Sequence, residues 1–256
     1  MNTVLKCNKM TMKFGGLTAV NEFSVEIPEK EIFGLIGPNG AGKTTVFNMI
    51  TGNLQPTSGM IYFYDKPIVG LKPYQVVSLG MARTFQNIRL FTNLSVLENV
   101  LTGFHHKLKY NLLDTILRLP RFSKNEKIMT EMAMDLLESV NLQDKANHKA
   151  SELPYGDRRK VEIARALATG PKMLLLDEPA AGMNPQETMS LMYFIEEIRD
   201  KFDLTILLIE HDMKFVMSLC KTIAVLDHGV KIAEGKPEEV QKNPDVIRAY
   251  LGDINA

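Results

Sequence analysis

The sequence predicts an α/β protein in which a mainly parallel β-sheet is accompanied by an antiparallel β subdomain at the N-terminus and an inserted α-helical subdomain. Three observations support this prediction. Strand-like and helix-like segments alternate over most of the 256 residues, several short strands precede the first helix, and residues 95–140 are helical in pattern almost throughout. Alternation on this scale favours parallel strands joined by right-handed crossovers.

The N-terminal part of the chain is predicted to be rich in β-strands. Its strand-like segments cover residues 4–14, 23–27, 31–36 and 59–64. Residues 32–36 form an unbroken apolar run, which is typical of a buried strand, and a Pro-Thr-Ser-Gly turn introduces the last segment. We therefore expect a β-rich region that leads into one buried central strand.

The middle of the chain is predicted to be helical. Ser95 with Glu98, and Ser123 with Glu126, each fit the capping-box pattern that begins a helix. Apolar residues recur there at every fourth position: Ile128, Met132, Leu136 and Val140. A second apolar stripe suits either a buried helix face or a groove for a helix of another protein: Leu112, Leu113, Ile116 and Leu117. We expect one domain, residues 1–256, in which a helical subdomain of about residues 95–150 interrupts a core formed by 1–94 and 151–256.

The last third of the chain returns to alternating strands and helices. Strands are expected at 172–177 and 204–209, on either side of a helix with Asn184 as N-cap, Pro185 in its first turn and Glu187 at its third position. Further strands at 223–226 and 230–233 enclose a His-Gly turn and predict a hairpin.

Composition narrows the possible classes of protein. Thirty basic and thirty acidic residues leave a formal net charge of zero, which argues against a nucleic-acid partner and against binding to an anionic membrane surface. Cys7 and Cys220 lie far apart, and no apolar signal region begins the chain, so we expect a reducing, cytoplasmic location. Since no segment approaches the length of a membrane span, a role in a membrane process requires docking onto a membrane-spanning partner.

The most informative motif lies between the buried strand and the helix predicted at 44–50. It comprises Gly37, Pro38, Asn39, Gly40, Ala41, Gly42, Lys43, Thr44 and Thr45. Glycines let successive backbone N–H groups turn inward around a polyphosphate, and the positive end of the helix dipole points at the same charge. Lys43 is expected to reach the terminal phosphates and Thr44 to offer its hydroxyl to Mg²⁺. The motif therefore predicts a phosphate-binding loop.

A second motif suits the same chemistry. The apolar strand 174–176 ends in Asp177 and Glu178. In this arrangement the first carboxylate can hold the Mg²⁺ shell, and the second can accept a proton from an attacking water. A strand that ends in acids is common by itself, but it is the expected partner of a phosphate-binding loop.

Over nearly its whole length the chain resembles the ATP-binding cassette (ABC) ATPases, a family with a P-loop NTPase core. The shared motifs occur in the family's order: the phosphate-binding loop, Gln86, the signature-like stretch Leu153, Pro154, Tyr155, Gly156 and Asp157, the acids 177–178, the turn 181–184, and His211. Within the family it is most similar to the ATP-binding subunits of branched-chain amino acid uptake systems. This narrower resemblance depends on the long helical insert, the Tyr-Gly pair in the signature, and residues 161–167, 208–213 and 243–252.

The resemblance implies ATP and Mg²⁺ as cofactors and a role for each site residue. Phe14 would stack on adenine, although an aromatic residue in an early strand is often part of a core. Glu178 would be the general base, and His211 would hydrogen-bond the terminal phosphate, where an isolated histidine is otherwise often structural. Gln86 would touch the metal or the attacking water and report the nucleotide state to the membrane partner. The residues implied at the metal are Thr44, Gln86 and Asp177.

The resemblance also implies partners. Similar proteins form a head-to-tail pair in which each ATP lies between the phosphate-binding loop of one subunit and the signature stretch of the other. The expected partners are a second ABC ATPase subunit or another copy of this chain, membrane permease subunits, and indirectly a substrate-binding protein. Such a subunit would lie at the cytoplasmic face of the cell membrane, attached through the permease.

Three positions depart from the family's usual Leu-Ser-Gly-Gly-Gln signature. Pro154 replaces serine, Tyr155 replaces the first glycine, and Asp157 replaces glutamine. Because proline supplies neither a hydroxyl nor a backbone N–H, at least one charge-assisted contact to the γ-phosphate is lost, worth about 1.5–3 kcal/mol. We therefore hypothesise pairing with a different ATPase subunit, which gives two unequal sites. Asn184 also stands where aspartate is usual.

The function that the resemblance implies is an ATP-hydrolysing subunit that powers a membrane importer, with branched-chain amino acids as the favoured cargo. Import of another amino acid, an amide or urea is an alternative. Export of lipid or lipopolysaccharide is a further alternative, but the long helical insert argues against a lipopolysaccharide exporter, whose ATPase has a shorter helical region. A soluble cassette ATPase acting on ribosomes or DNA is disfavoured by the single cassette and the balanced charge. An adaptor that no longer hydrolyses ATP is disfavoured by the presence of Lys43, Glu178 and His211.

Overall fold

The computed structural model describes residues 2–104 and 120–251, and within them the chain forms two compact units. The first unit comprises Met1–Arg83 and Lys172–Ala256, and the second comprises Thr84–Pro171. The second unit includes the helical insert predicted at 95–150 and extends beyond it in both directions. None of the described helices is both long enough and apolar enough to cross a membrane.

The strands of the described residues all belong to the first unit. In chain order they are β1 (Thr3–Phe14), β2 (Leu17–Pro28), β3 (Ile32–Ile36), β4 (Ser58–Phe63), β5 (Lys66–Pro67), β6 (Met81–Arg83), β7 (Met173–Asp177), β8 (Thr205–Ile209), β9 (Thr222–Asp227) and β10 (Val230–Gly235). An antiparallel sheet has the order β2-β1-β4-β5, and a second sheet has the order β10-β9-β3-β8-β7-β6. The second sheet is parallel except for the β9–β10 pair. The predicted fold class is therefore confirmed.

The two sheets share one hydrophobic core. Every residue of β3, β7 and β8 is buried, as the unbroken apolar runs predict. The core also takes in buried side chains of β1, β2, β4 and the first helix, including Leu5, Ile27, Ile61 and Phe47. Because the parallel strands β3, β7 and β8 end at the same edge of the sheet, the segments that follow them are brought together there.

Strand lengths differ from the prediction where the backbone pattern is irregular. β2 spans Leu17–Pro28 instead of 23–27, since register shifts against β1 interrupt the alternation of apolar and polar residues. β6 was not predicted, because a strand of three residues is too short to show an alternation of apolar and polar residues.

The predicted hairpin is confirmed: His228 and Gly229 have φ values of 43° and 80°, as a tight turn between β9 and β10 requires.

Helices of the first unit follow the strands. They are α1 (Lys43–Ile50), α2 (Pro73–Ser78), α6 (Pro185–Lys201), α7 (Met213–Leu219), α8 (Pro237–Lys242) and α9 (Pro244–Leu251). The predicted start of α6 is confirmed, because the Asn184 side chain accepts hydrogen bonds from the N–H groups of Gln186 and Glu187, both at 3.0 Å. Asp212 caps α7 in the same way.

The second unit contains α3 (Val96–Phe104), α4 (Pro120–Ser139) and α5 (Tyr155–Ala168). The capping box at Ser95 and Glu98 is confirmed by reciprocal bonds of 2.7 and 3.1 Å. The second predicted box is wrong: Ser123 lies inside α4, and a Ser-x-x-Glu spacing also occurs within helices. α3 packs closely on α5, since a Cβ at Gly103 would lie 2.4 Å from the backbone oxygen of Arg165.

The stripe of apolar residues at every fourth position only partly matches the buried face of α4. Ile128 and Met132 are 43% and 44% exposed, whereas Leu136 and Val140, the latter just after the helix, are buried. A spacing of four advances about 40° around an α-helix at each step, so such a stripe drifts away from a fixed face. The other predicted stripe, Leu112 to Leu117, lies outside the described residues.

Candidate active site

The phosphate-binding loop connects β3 to α1 in a backbone conformation that only glycine adopts readily. Gly37, Gly40 and Gly42 have φ values of 152°, 81° and 103°. A Cβ at Gly37 would lie 2.0 Å from the Leu226 carbonyl oxygen, and one at Gly42 would lie 2.6 Å from that of Ala19, but a Cβ at Gly40 would meet nothing within 4 Å. The loop is thus tightly packed at its two ends and open at its middle.

Lys43 is the first residue of α1, and its ammonium is held by the loop itself. Its Nζ donates hydrogen bonds to the carbonyl oxygens of Gly37, at 2.7 Å, and Pro38, at 2.9 Å. Burial lowers the pKa of Lys43, and the carboxylates of Glu178 and Asp177 oppose that effect. A buried ammonium at the start of a helix, next to a glycine-rich loop, is suited to binding a phosphate.

Asp177 lies at the end of β7 and takes part in a buried ion pair. Its Oδ2 is 2.6 Å from Nη2 of Arg83, at the end of the neighbouring strand β6. The Arg83 guanidinium also donates to the Asn48 side chain at 2.7 Å and lies over the Phe47 ring, 5.5 Å from its centre. Sequence reasoning missed Arg83: it occurs three residues before Gln86, but nothing in the linear pattern connects it with Asp177.

Replacing Arg83 by alanine is expected to lower the free energy of unfolding by about 3–5 kcal/mol, because it leaves the buried Asp177 carboxylate without its charged partner. Equilibrium unfolding in urea measures the change. Arg199→Ala is the matched control, since its partner Asp200 is exposed, and such a pair is worth less than about 1 kcal/mol. Equal losses in the two variants would contradict the structural role given to the Arg83–Asp177 pair.

Glu178 and His211 meet at the same edge of the sheet. His211 Nδ1 is 3.6 Å from Oε2 of Glu178 and 3.6 Å from Oε2 of Glu210. The Glu178 N–H donates to the Ile209 carbonyl oxygen at 2.9 Å, so the turn after β7 is fastened to the end of β8. Glu178 has a φ of 44°, an uncommon value for a residue other than glycine, and its side chain is mostly buried. His211 is 56% exposed at its side chain.

Phe14 ends β1 and is 47% exposed, so its ring is not part of the core. An exposed aromatic face can stack on a planar ligand.

A cavity of about 530 Å³ borders residues 38–41 of the phosphate-binding loop. Its other walls come from the β9–β10 turn, at Asp227 and His228, and from α9, at Asp245 and Arg248. The open middle of the loop therefore faces free space beside the C-terminal helix.

The remaining predicted residues lie in the second unit. Gln86 is exposed, Leu153 is buried, Pro154 precedes the first turn of α5, and Tyr155 begins that helix. The Asp157 carboxylate forms an ion pair with Lys145. The order of residues is the one that the signature resemblance requires, with the start of a helix at the Tyr-Gly pair.

Within this unit the segment that contains Gln86 is bound to α5 by a residue that sequence reasoning did not single out. Arg159 is fully buried and donates to the carbonyl oxygens of Phe85 and Gln86, both at 2.7 Å. It also pairs with Glu162 at 2.7 Å. The sequence did contain a signal for a buried role of Arg159, because this basic residue lies at helical spacing from apolar residues that are themselves buried.

The fold and the first unit's site define a nucleotide-binding cassette, with a phosphate-binding loop and a strand-end carboxylate pair on one sheet edge. The chain belongs to the ABC transporter family: the family model described as ABC transporter matches residues 20–181. A second model, described as branched-chain amino acid ATP-binding cassette transporter, matches residues 230–254. The chain is therefore an ABC-type ATPase.

Several relatives are similar along the whole chain. A high-affinity branched-chain amino acid transport ATP-binding protein of Salmonella typhimurium is 49% identical over 250 residues, 98% of each chain. The protein of the same description from Pseudomonas aeruginosa is 47% identical over the same share. A crystal structure of the ADP conformation of an ATP-binding cassette of an ABC transporter superposes with a TM-score of 0.86 at 33% identity, covering 99% of this chain and all of that one.

Proposed function

We propose that this chain is the ATP-hydrolysing subunit of a membrane importer for branched-chain amino acids. The observation that carries the proposal is that the phosphate-binding loop, Glu178 and His211 follow neighbouring strands of one sheet, β3, β7 and β8. The cargo is proposed from the relatives, which are described as branched-chain amino acid transport proteins and align with 98% of this chain.

The residues of the first unit fit a nucleoside triphosphate. Lys43 and the helix start provide positive charge, and the glycines leave the middle of the loop open. For Mg²⁺, we propose Thr44 and Asp177 as ligands, together with Gln86 as the resemblance implies. Among the described residues no cluster of three His, Cys, Asp or Glu side chains could hold a metal alone, so phosphate oxygens would complete the shell. The ion would neutralise charge on the phosphates during transfer.

We propose the following roles for the residues of this chain, and their positions support them. Glu178 accepts a proton from the attacking water, and His211 hydrogen-bonds the terminal phosphate beside it. Lys43 stabilises the charge that develops on the phosphate oxygens. Phe14 offers an exposed face on which adenine stacks.

Assembly completes the proposed site. A second cassette subunit, or another copy of this chain, would place its signature stretch against the γ-phosphate, so that hydrolysis depends on closure of the pair. Since Pro154 lacks an N–H, this chain's signature offers one hydrogen bond fewer, and we propose a different ATPase subunit as the partner. Permease subunits would bind the pair at the cytoplasmic face of the membrane, and a substrate-binding protein would deliver cargo on the other side.

The test is a pull-down of the tagged chain from solubilised membranes of its own cell, with ATP hydrolysis measured on the recovered complex. We expect two permease chains and a second ATPase subunit, and hydrolysis that is stimulated by a binding protein loaded with leucine, isoleucine or valine. Recovery of a hydrolysing protein with no membrane partner would contradict the transport function and leave the ATPase. Stimulation by a different amino acid only would contradict the cargo.

A further inference from the structure

Glu210 is a buried carboxylate beside the proposed catalytic residues, and no role has been assigned to it above. It follows β8 directly, and its side chain is 1% exposed, although the next residue, His211, is mostly exposed. A charge that is removed from water is costly unless hydrogen bonds satisfy it. The Glu210 carboxylate therefore needs hydrogen-bond donors inside the protein.

Each Glu210 oxygen accepts a hydrogen bond from a different loop. Oε1 accepts from the backbone N–H of Ala180 at 2.9 Å, and Oε2 accepts from that of His211 at 3.1 Å. Burial raises the pKa of Glu210, whereas the N–H groups of Ala180, His211 and Asp212 favour its ionised form. The side chain thus joins the turn after β7 to the segment after β8.

Backbone hydrogen bonds hold the turn that contains Glu178, one at Glu178 itself and one at Ala180. Its own N–H donates to the Ile209 carbonyl oxygen, and Pro179 has no N–H to donate. The next available N–H, on Ala180, binds Glu210. Two consecutive residues, Ile209 and Glu210, therefore accept hydrogen bonds from the N–H groups of Glu178 and Ala180 and hold the backbone on both sides of the Glu178 side chain.

We propose that Glu210 is a positioning residue for ATP hydrolysis, which holds Glu178 and His211 in a fixed relation through backbone hydrogen bonds. The inference depends on the proposed roles of those two residues. A catalytic geometry that is lost by a small displacement lowers turnover more than it lowers binding. Glu210 accepts its hydrogen bonds from Ala180 and His211, which lie outside the phosphate-binding loop, so we expect ATP affinity to depend on Glu210 less than turnover does.

Glu210→Gln is the sharpest variant, because glutamine has nearly the same shape but only one acceptor oxygen. Its NH₂ group must face one of the two backbone N–H groups. We expect kcat of the recovered complex to fall about ten- to a hundredfold, as for loss of one charge-assisted bond, with KM and the Kd for ATP changed less than about threefold. Glu210→Asp keeps the charge and both oxygens but is shorter, and we expect a smaller but measurable fall in kcat, of about three- to tenfold.

Glu31→Gln is the matched control. Glu31 is also a buried carboxylate of the first unit, but it precedes β3, at the end of the sheet opposite the phosphate-binding loop, and pairs with Lys221. The turnover of the Glu31→Gln variant should stay near that of the unmodified protein.

A double variant tests whether Glu210 acts through His211. Combining Glu210→Gln with His211→Ala should lower turnover by less than the product of the two single effects, since Glu210 acts partly through His211. Independent effects would be multiplicative.

Three results would overturn the inference: equal turnover in Glu210→Gln and Glu31→Gln, a loss confined to ATP affinity, or multiplicative effects with His211→Ala. If Glu210→Gln does not fold, normal turnover in the folded Glu210→Asp variant would overturn it as well. Glu178→Gln separates this inference from the proposed function. Inactive Glu178→Gln with active Glu210→Gln defeats only the positioning role, whereas active Glu178→Gln defeats the proposed base itself.

Discussion

Replacing Glu178 by glutamine is expected to lower ATP turnover by about 10²–10⁴-fold, because the amide cannot accept the proton of the attacking water. The substitution changes neither the size of the side chain nor the backbone bond to Ile209. Binding of ATP should therefore persist, and the affinity should stay within about threefold. Phosphate release by the purified complex measures turnover, and a fluorescent ATP analogue measures binding in the same preparation.

Glu197→Gln is the control for this prediction. It makes the same chemical change at an exposed position on α6 and should leave turnover unchanged. A rate for Glu178→Gln that equals the control rate would remove Glu178 from the role of general base. A combined loss of hydrolysis and ATP binding would show instead that the substitution disturbs the loop as a whole.

The parts of the fold that were predicted from sequence are those in which a local pattern determines the structure. The unbroken apolar runs of β3, β7 and β8 are buried throughout, as is typical of the central strands of a parallel sheet. The glycines of the phosphate-binding loop likewise predict their own conformation, because positive φ values are costly for other residues. The N-cap at Asn184 is a short-range hydrogen-bond pattern and was also predicted correctly.

The parts that sequence reasoning missed depend on neighbours that only the fold supplies. Arg83 pairs with Asp177 because β6 lies beside β7, yet the two residues are 94 positions apart. Glu210 binds the N–H of Ala180 across the same sheet edge, 30 positions away. The capping-box prediction at Ser123 fails for the converse reason: the Ser-x-x-Glu spacing is present in the sequence, but the helix Pro120–Ser139 begins before it and continues through it.

Gly37→Ala is expected to destabilise the nucleotide-free protein by about 2–5 kcal/mol. The added Cβ would lie 2.0 Å from the backbone oxygen of Leu226, and a φ of 152° is itself strained for a residue that has a Cβ. A backbone carbonyl in the interior of the sheet cannot rotate away as a side chain can, so either β3 or β9 must shift. The free energy of unfolding without nucleotide, measured in urea, gives the loss directly.

Gly40→Ala separates steric packing from backbone strain, since it is the same substitution in the same loop. Gly40 has a φ of 81°, but a Cβ there would meet nothing within 4 Å. Its expected cost is therefore the strain alone, about 1–2 kcal/mol. The difference between the two variants should exceed about 1 kcal/mol and measures how firmly β9 supports the phosphate-binding loop. Equal losses would mean that the loop is held by its own conformation and that contact with Leu226 contributes nothing.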